Sequence, residues 1–464
     1  MNVHPRSGSL RVAAPPSRGR HQQPGKAGSA VAHAPAGDVF EFRPWNLGRW
    51  VLWGVFALVL GVAPLIFDSG LGLTILSQVG IAIIACLSYN ILLGQGGMLS
   101  FGHAVYTGLG AYIAVHALNM YGKAWLPVSL VPLVGGLGGL FFAMLLGWIS
   151  TRRAHLTVAM ITLGLGELVF SMSLMVPEFF GGEGGITTNR VVGKPVLGIS
   201  FGPPQQLYYL IALYAFVCTV AMFAFTRTPL GRLLNAVRDN PQRVEFVGYN
   251  PHRIRYTGFM IAGFFAGIAG GLAVLTFEIV TAEVVGAGRS GGYLLFTFLG
   301  GATFFFGPII GAVLMVLAFV LFSEFTRAWL LYLGLVFIFM VMYAPGGIAS
   351  LLMMNLRVAA FGRLRALWVA YLALAGCALT MLLGAAAMVE MVYHLQLDAG
   401  QGGAVTFLGA RLDVAAADSW VGAIFVLITG AGLFELTRRH FLHQWGSTQE
   451  LIEKEIKQRE AFRA

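Results

Sequence analysis

Long apolar runs separated by short polar segments dominate the chain. Each run is about 20 residues long, the length that an α-helix needs to cross the hydrocarbon core of a bilayer. Membrane-crossing strands would instead show alternating segments of about ten residues. The pattern therefore predicts an all-α, polytopic membrane helix bundle, because a span in lipid must satisfy its own backbone hydrogen bonds. The twelve runs lie at about 50–67, 71–93, 98–118, 126–149, 154–176, 207–226, 257–279, 291–305, 307–325, 328–352, 366–392 and 419–436.

The composition agrees with this pattern. Hydrophobic residues make up 57% of the chain and charged residues 11%, and the mean hydropathy is +0.76. An ordinary soluble domain carries about 25% charged residues. The net charge of +10 does not indicate nucleic-acid binding, because the basic residues are concentrated in a few segments between apolar runs.

The basic segments predict how the helices are oriented. Seven Lys and Arg residues against two acids precede Trp50, and short loops rich in Lys and Arg stay on the cytoplasmic side of a membrane. If all twelve runs cross, every later basic segment lies on the same side. We therefore expect both termini in the cytoplasm and the acidic segment 393–418 outside. The later basic segments are Arg152 with Arg153, Arg227–Arg255, Arg357–Arg365 and Arg438 with Arg439.

The stretch Arg227–Arg255, called the arginine-rich segment below, is unusually polar for a connection between two apolar runs. It contains six arginines against Asp239 and Glu245. Its residues LLNAVRDN have the pattern of an amphipathic helical turn, and two Asn-Pro pairs interrupt it, because the residue before a proline disfavours helical backbone. The sequence thus predicts an exposed helix–break–helix at the cytoplasmic face, suited to docking a partner protein.

Glycine occurs 61 times, and most of these glycines are expected to serve close helix packing. The GQGG stretch Gly94–Gly97 differs, because it interrupts a run that is apolar on both sides. We expect a helix break there, with a new half-helix from Leu99 onward. Its N-terminal N–H groups would suit the carboxylate of a passing amino acid.

Polar residues near this break and inside one later run are candidates for a substrate route. A carboxylate inside a span, such as Glu167, is costly and should face protein or a water-filled path. A hydrogen-bonded core role for His103 and a helix-packing role for Glu167 remain open. The candidate route residues are Asn90, Gln95, Gly96, Ser100, His103 and Glu167.

The motifs of enzymes are missing from the sequence. No Gly-Lys pair is followed by Ser or Thr, so the chain has no P-loop and no ATPase of its own. The three cysteines lie inside apolar runs without metal-ligand spacing. We therefore predict no catalytic residue, no metal site and no cofactor in this chain.

Four motifs, in order, resemble the permease subunits of branched-chain amino acid ABC importers, the LivM type. The resemblance covers roughly residues 50–352, and its last motif is followed by a Pro-Gly end at Ala344–Gly347. The motifs are LSYNILLGQGGMLSFGHAVYTGLGAYIA (Leu87–Ala114), FFGGEGGIT (Phe179–Thr187), TPLGRLLNAVRDNPQRVEFVGYNPHRIRYTGFMIAGFFAGIAGGL (Thr228–Leu272) and FLGGATFFFGPIIGA (Phe298–Ala312).

The resemblance implies partners and a location. The arginine-rich segment would seat on an ATP-binding subunit, which hydrolyses the ATP. The full importer would contain two ATP-binding subunits, a second permease subunit of the LivH type and a periplasmic substrate-binding protein, in a bacterial inner membrane. The residues that the resemblance assigns to docking are Gly231, Arg232, Ala236, Arg238, Asp239, Asn240, Pro241 and Gly248.

The chain departs from the family pattern after about residue 355. We expect a disordered basic N-terminus at 1–45, a permease core of about 10 spans at 46–355, two additional spans at 356–436 and a charged cytoplasmic helix at 437–464. That last helix would begin at a capping box formed by Ser447 and Glu450.

Two kinds of alternative function stay open. One is a self-contained twelve-span secondary transporter, although the connection between runs two and three lacks the charged motif common in that class. The other is an ABC permease for urea, amides or aromatic acids.

Overall fold

The computed structural model of the protein describes residues 47–121, 127–153, 156–191, 200–326, 328–397, 404–407, 410–414 and 416–461. The all-α membrane bundle that the sequence predicts is confirmed. Residues 54–464 form one compact unit, and residues 1–53 form a separate one, of which Leu47–Trp53 are described and helical. The N-terminal stretch 1–45 lies outside the described residues.

The apolar runs form helices of very different lengths. Two π-helical turns, Ile91–Gln95 and Ala318–Phe322, extend α2 and α12. The α-helices are α1 Leu47–Ile66, α2 Gly70–Asn90, α3 His103–Tyr121, α4 Val131–Ser150, α5 Leu156–Met175, α6 Pro177–Phe180, α7 Pro204–Arg227, α8 Pro229–Asp239, α9 Pro241–Phe246, α10 Pro251–Phe277, α11 Ala287–Gly300, α12 Gly307–Leu317, α13 Ser323–Phe325, α14 Trp329–Tyr343, α15 Gly347–Ala360, α16 Leu364–Leu397 and α17 Ala417–Ala461.

Two small antiparallel sheets connect helices. In the first, β1 (Ile186–Thr187) pairs with β2 (Ile279–Val280), with Ile186 opposite Val280. In the second, β3 (Ala404–Phe407) pairs with β4 (Ala410–Asp413) between α16 and α17. Both pairs lie between helices, so they leave the all-α bundle intact.

The helices differ in their ability to cross a membrane. Among the described residues, seven are long and apolar enough, and an eighth candidate is the pair α14 and α15, bent by 51°. The run 328–352 is therefore bent rather than straight, as in a broken span or a re-entrant loop. Helix α11, which holds most of the run 291–305, has only 14 residues. The count of twelve spans stays a prediction.

Helix α10 lies at the centre of the compact unit, with α2, α3 and α4 packed around it. A Cβ atom added to Gly267 would lie 2.3 Å from the carbonyl oxygen of Gly135 on α4, and one added to Gly110 on α3 would lie 2.5 Å from the Gly267 Cα. Small residues permit such close backbone contact between membrane helices. The packing role expected for most glycines is therefore confirmed at this point, the glycine crossing, which consists of Gly110, Gly135, Gly139 and Gly267.

The C-terminal extension is a helical hairpin of α16 and α17. Their backbones meet at Gly384, where an added Cβ would lie 2.5 Å from the backbone N of Leu427. The carboxylate of Glu390 on α16 accepts hydrogen bonds from the hydroxyls of Thr326 and Tyr332, which lie on either side of the start of α14. The hairpin is thus joined to the core by a polar contact.

The helix start expected at Ser447 is absent. Helix α17 continues unbroken to Ala461, and the Ser447 hydroxyl donates to the carbonyl of Gln444 within that helix instead of capping a new one. No proline separates the apolar and charged parts of α17, so the helix propagates through. A small apolar cluster of Val358, Leu367 and Ile452 packs the charged part of α17 against α15 and α16.

Candidate functional site

The arginine-rich segment folds as two short helices, α8 and α9, followed by the start of α10. Each helix begins with a proline, and the residue before it caps the helix. Side-chain oxygens of Thr228, Asn240 and Asn250 accept hydrogen bonds of 3.0 to 3.3 Å from N–H groups of the first turn. Proline fits the first helical position, and Asn and Thr are favoured caps. The helix–break–helix is confirmed, with its first break at Asn240.

Helix α8 has a buried and an exposed face. Leu234 and Val237 are buried, and Leu234 lies against Gly258 of α10. Gly231 is also buried, because an added Cβ would lie 2.4 Å from the carbonyl oxygen of Phe225. Gly231 therefore acts by letting α8 pack closely. The remaining residues assigned to docking are exposed or partly exposed: Arg232, Ala236, Arg238, Asp239, Asn240, Pro241 and Gly248.

Three apolar residues at the end of α9 were not predicted from the sequence. Phe246, Val247 and Tyr249 are 89%, 74% and 50% exposed. Val247 and Tyr249 line a cleft of about 350 Å³ between α8 and α9. The signal that could have found them is the stretch FVGY in a connection that is otherwise charged. An exposed apolar patch rimmed by polar residues is typical of a protein–protein contact.

Arg238 joins the arginine-rich segment to the broken helix. Its Nη1 donates a hydrogen bond to the carbonyl oxygen of Gly94, and its Nε donates to Asp239 Oδ1 at 3.0 Å. Its stem covers Gly97, where an added Cβ would lie 2.6 Å from Arg238 Cγ. Gly97 has φ +61°, a conformation that favours glycine. The break and α8 are therefore in direct contact.

The helix break at GQGG is present, but the second helix begins at His103, not at Leu99. The N–H groups of Gly96, Gly97 and Met98 still bond to carbonyls of the preceding turn. The chain then runs without helical structure to Phe101 and Gly102, which form a turn. The break thus lies beside α8, at the end of the bundle that carries the arginine-rich segment.

The N–H groups that follow the break already have partners. The N–H of Ser100 bonds to Tyr89 Oη at 3.3 Å, and that of Phe101 bonds to Thr162 Oγ1 at 3.1 Å. The N–H of Ala104, in the first turn of α3, bonds to Ser290 Oγ at 3.0 Å. The expectation that these groups are free for a substrate carboxylate is therefore wrong for this conformation. Side chains from three other helices satisfy them, and sequence spacing does not reveal such contacts.

Several candidate route residues are buried polar groups beside the break. His103 Nε2 lies 2.7 Å from the Ser88 hydroxyl, so the hydrogen-bonded role left open for His103 is present. Asn90 Oδ1, Ser100 Oγ and His103 Nδ1 are buried and have no hydrogen-bond partner within the described residues. Buried polar atoms are normally paired, so these groups could accept a ligand, a water or a rearranged partner.

The other candidates lie apart from these groups or beside them. Gln95 is partly buried and Gly96 is buried at the end of the π-helical turn. Glu167 is exposed on α5, whereas the preceding Gly166 faces Gly102. The structure brings Ser100 and His103 together through Tyr89 and places Asn90 against Gly94, whereas Glu167 is exposed on α5. A route role for this set stays a prediction.

Comparison with known proteins identifies the family. The family described as branched-chain amino acid transport system / permease component matches residues 71–346, more than half of the chain. The chain belongs to this family of permease components. The resemblance seen in the four motifs is thereby confirmed.

Curated relatives of this permease family member are transport proteins. The high-affinity branched-chain amino acid permease LivM of Salmonella typhimurium is 29% identical over 317 residues, which is 63% of this chain and 73% of the relative. LivM of Escherichia coli is 28% identical over 320 residues, with the same coverage. The guanosine permease NupQ of Bacillus subtilis is 25% identical over 202 residues, or 40% of this chain and 61% of the relative. No solved structure gives a significant match.

Proposed function

We propose that this chain is the transmembrane permease subunit of an ATP-driven importer for amino acids, with branched-chain amino acids as its substrates. It passes substrate from a periplasmic binding protein to the cytoplasm and catalyses no reaction itself. The observation that carries the proposal is the contact of Arg238 with the broken helix. This contact connects the exposed, basic helices α8 and α9 to the interior of the membrane bundle. The sequence has no P-loop, so the ATPase would be a separate subunit.

The docking surface has a chemistry that fits a folded partner domain. It consists of the exposed face of α8, helix α9 and the apolar patch Phe246, Val247 and Tyr249. Arg232 and Arg243 are exposed beside that patch, so a partner with an apolar centre and acidic rim is complementary. Two ATP-binding subunits would serve this chain and a second permease subunit of the LivH type.

The contact at Arg238 suggests how ATP hydrolysis by a docked subunit is coupled to movement inside the permease. A shift of α8 moves the Arg238 guanidinium, which holds the Gly94 carbonyl, and its stem, which covers Gly97. The peptide at Gly97 has a conformation that other residues avoid, so the break is a natural hinge. Movement at the break would rearrange the buried groups of Asn90, Ser100 and His103.

Reconstitution tests this function. Proteoliposomes with this chain, its second permease, the ATP-binding subunits and the leucine-loaded binding protein should accumulate leucine when ATP is supplied on the side of the arginine-rich segment. Leaving out the ATP-binding subunits should abolish concentrative uptake, because the chain has no P-loop. Accumulation driven by a proton or sodium gradient alone would show a secondary transporter instead.

A docking variant sharpens this experiment. Phe246→Ser removes an apolar side chain that is 89% exposed, so the fold should survive while the ATP-binding subunits no longer copurify. Met120→Ser changes another exposed apolar residue, at the far end of α3, and serves as the control. Equal copurification in both variants would place the docking surface elsewhere.

The substrate is a separate question with two candidates. The guanosine permease among the relatives favours nucleosides as the second candidate, although its match covers a smaller part of the chain than the LivM matches do. A thermal-shift screen of the cognate binding protein against amino acids and nucleosides discriminates between them. Stabilisation by branched-chain amino acids supports the proposal, and stabilisation by nucleosides alone would replace the substrate.

Location and topology follow from the basic segments. We propose that the chain lies in the bacterial inner membrane with both termini in the cytoplasm, and that the hairpin of α16 and α17 crosses it twice. In a Cys377→Ser background, a cysteine at Gly402 should react with an impermeant thiol reagent from outside, whereas one at Ser447 should not. Gly402 itself lies outside the described residues, and Cys86 and Cys218 are buried and give little background. The opposite labelling would mean that the hairpin is inverted.

A further inference from the structure

Helix α5 carries a charged residue on its outer face. Glu167 lies near the middle of this 20-residue helix, which is long and apolar enough to cross a membrane. Its side chain is exposed, and no hydrogen bond or ion pair joins its carboxylate to another described residue. A carboxylate that faces lipid tails is costly. The face of α5 that carries Glu167 is therefore poorly suited to contact lipid.

A positive charge lies on the neighbouring element. Arg289, in the first turn of α11, is exposed, and no carboxylate of the described residues forms an ion pair with it. The start of α11 lies beside α5, because a Cβ added to Gly286 would be 3.8 Å from the ring of Phe170. One side of the bundle thus exposes two charges of opposite sign, and neither has a counter-charge in the described part of the chain.

The two charges lie at a similar depth in the bundle. Gly166, which precedes the glutamate on α5, faces Gly102. Ser290, which follows the arginine on α11, accepts a hydrogen bond of 3.0 Å from the N–H of Ala104. Both contacts lie at the start of α3, which begins at His103. A single partner helix that runs along this side could therefore reach both charges.

Open glycines accompany these charges. A Cβ added to Gly164 on α5, or to Gly288 or Gly291 on α11, would have no atom within 4 Å. Small residues allow the backbone of another membrane helix to approach closely. Helix α1 shows a face with the opposite chemistry, because it exposes large apolar residues such as Leu58 and Val59. The side formed by α5 and α11 thus has the chemistry of a helix–helix contact. It is called the α5–α11 face below and consists of Gly164, Glu167, Gly288, Arg289 and Gly291.

We propose that the α5–α11 face binds a membrane helix of the second permease subunit. That helix would carry a basic or hydrogen-bond-donating side chain opposite Glu167 and a hydrogen-bond acceptor opposite Arg289, with small residues between them. The identity of the partner rests on the proposed function, which supplies a second permease. The need for a polar partner inside the membrane rests on the two unpaired charges.

Copurification tests the proposal. The full chain is coexpressed with a tagged second permease subunit and the ATP-binding subunits, and the amount of the chain that the tag recovers is measured. Glu167→Leu should lower the recovery by at least about tenfold, because the polar group of the partner is left without its counterpart. Gly164→Trp should lower it similarly by filling the space that the partner helix needs. Gly61→Trp, at an equally open glycine on α1, is the matched control and should leave the recovery unchanged.

The sign of the Glu167→Leu effect separates a subunit contact from a lipid contact. Each variant expressed alone should remain monodisperse, because both positions are exposed on α5. If α5 faced lipid, leucine in place of the carboxylate would be favourable, and recovery would equal or exceed that of the wild type. Such recovery would overturn the proposal. If that same variant recovers normally but loses uptake, Glu167 lines a water-filled path instead of a subunit contact.

Photo-cross-linking identifies what covers the face. A photoreactive benzoylphenylalanine in place of Ser171, which is exposed one turn beyond Glu167, should cross-link to the second permease, whereas one in place of Leu58 on α1 should not. A product that contains two copies of this chain would assign the face to a homodimer and overturn the proposal. If the wild-type complex forms and both α5 variants remain in it, only the interface fails. If the second permease never copurifies with the wild-type chain, the proposed importer fails as well.

Discussion

Replacing Arg238 by alanine should uncouple the proposed importer. The variant loses the hydrogen bond to the Gly94 carbonyl and the side-chain stem over Gly97, so motion of α8 no longer reaches the helix break. Leucine uptake should fall by about tenfold or more, within the range of about 5- to 150-fold that typical coupling free energies of about 1–3 kcal/mol produce. ATP hydrolysis by the assembled complex should remain within about twofold of wild type, since the apolar docking patch is unchanged.

Uptake and ATP hydrolysis are measured in the same proteoliposomes. Arg153→Ala, which removes an exposed arginine outside the arginine-rich segment, is the matched control and should change neither rate. Gly97→Ala approaches the same contact from the other side, because its Cβ would meet Arg238 Cγ at 2.6 Å and its φ of +61° disfavours alanine. Wild-type uptake in both Arg238→Ala and Gly97→Ala would remove the coupling role from this contact.

A valine at Gly267 should clearly destabilise the bundle. Three helix backbones meet at the glycine crossing, and the first carbon of any side chain would lie 2.3 Å from the Gly135 carbonyl oxygen. Overpacking in a close-packed core costs about 1–3 kcal/mol, and here the obstacle is backbone that cannot rotate away. We expect the yield of monodisperse protein after mild heating to drop several-fold, with a clearly lower Tm.

Gly164→Val provides the matched control. Gly164 lies on the exposed face of α5 with no atom within 4 Å of an added Cβ, so valine there carries the same helix-propensity cost without a clash. Both variants are compared by fluorescence-detected size-exclusion after a temperature series. Equal stability of the two variants would mean that the helices around α10 can separate, and the close packing would not be what holds them.

The sequence predicted the helix–break–helix because local rules govern it. The prolines after Thr228, Asn240 and Asn250 set helix starts, and the preceding side chains cap them. Such signals act within four residues. The position of the GQGG break was predictable for the same reason, since glycines weaken a helix locally.

Contacts between distant segments were not predictable in this way. Arg238 and Gly94 are 144 residues apart, and nothing in either local pattern selects the other. The partners of the Ser100 and Phe101 N–H groups come from helices α2 and α5 for the same reason.

The direction of Glu167 illustrates a second limit. The apolar residues of helix α5 are distributed around its whole circumference, so its sequence periodicity does not say which face turns inward. Only the packing of Gly166 against Gly102 decides that Glu167 points away from the break. The continuous helix α17 is a third case. A capping-box pattern can also occur in the middle of a helix when the turn before it is stable, so the pattern at Ser447 and Glu450 did not mark a helix start.

The length of α17 limits the room beside the membrane. At about 1.5 Å per residue, its 45 residues reach roughly 68 Å, more than twice the hydrocarbon thickness of about 30 Å. More than half of this rod must therefore stand clear of the lipid tails. In the proposed topology both termini lie on the side of the arginine-rich segment, and an ATP-binding subunit of the proposed importer would share that side with this projecting rod. The rod is a steric boundary that a permease ending near residue 355 would not have, and it restricts the angles from which a globular subunit can approach α8 and α9.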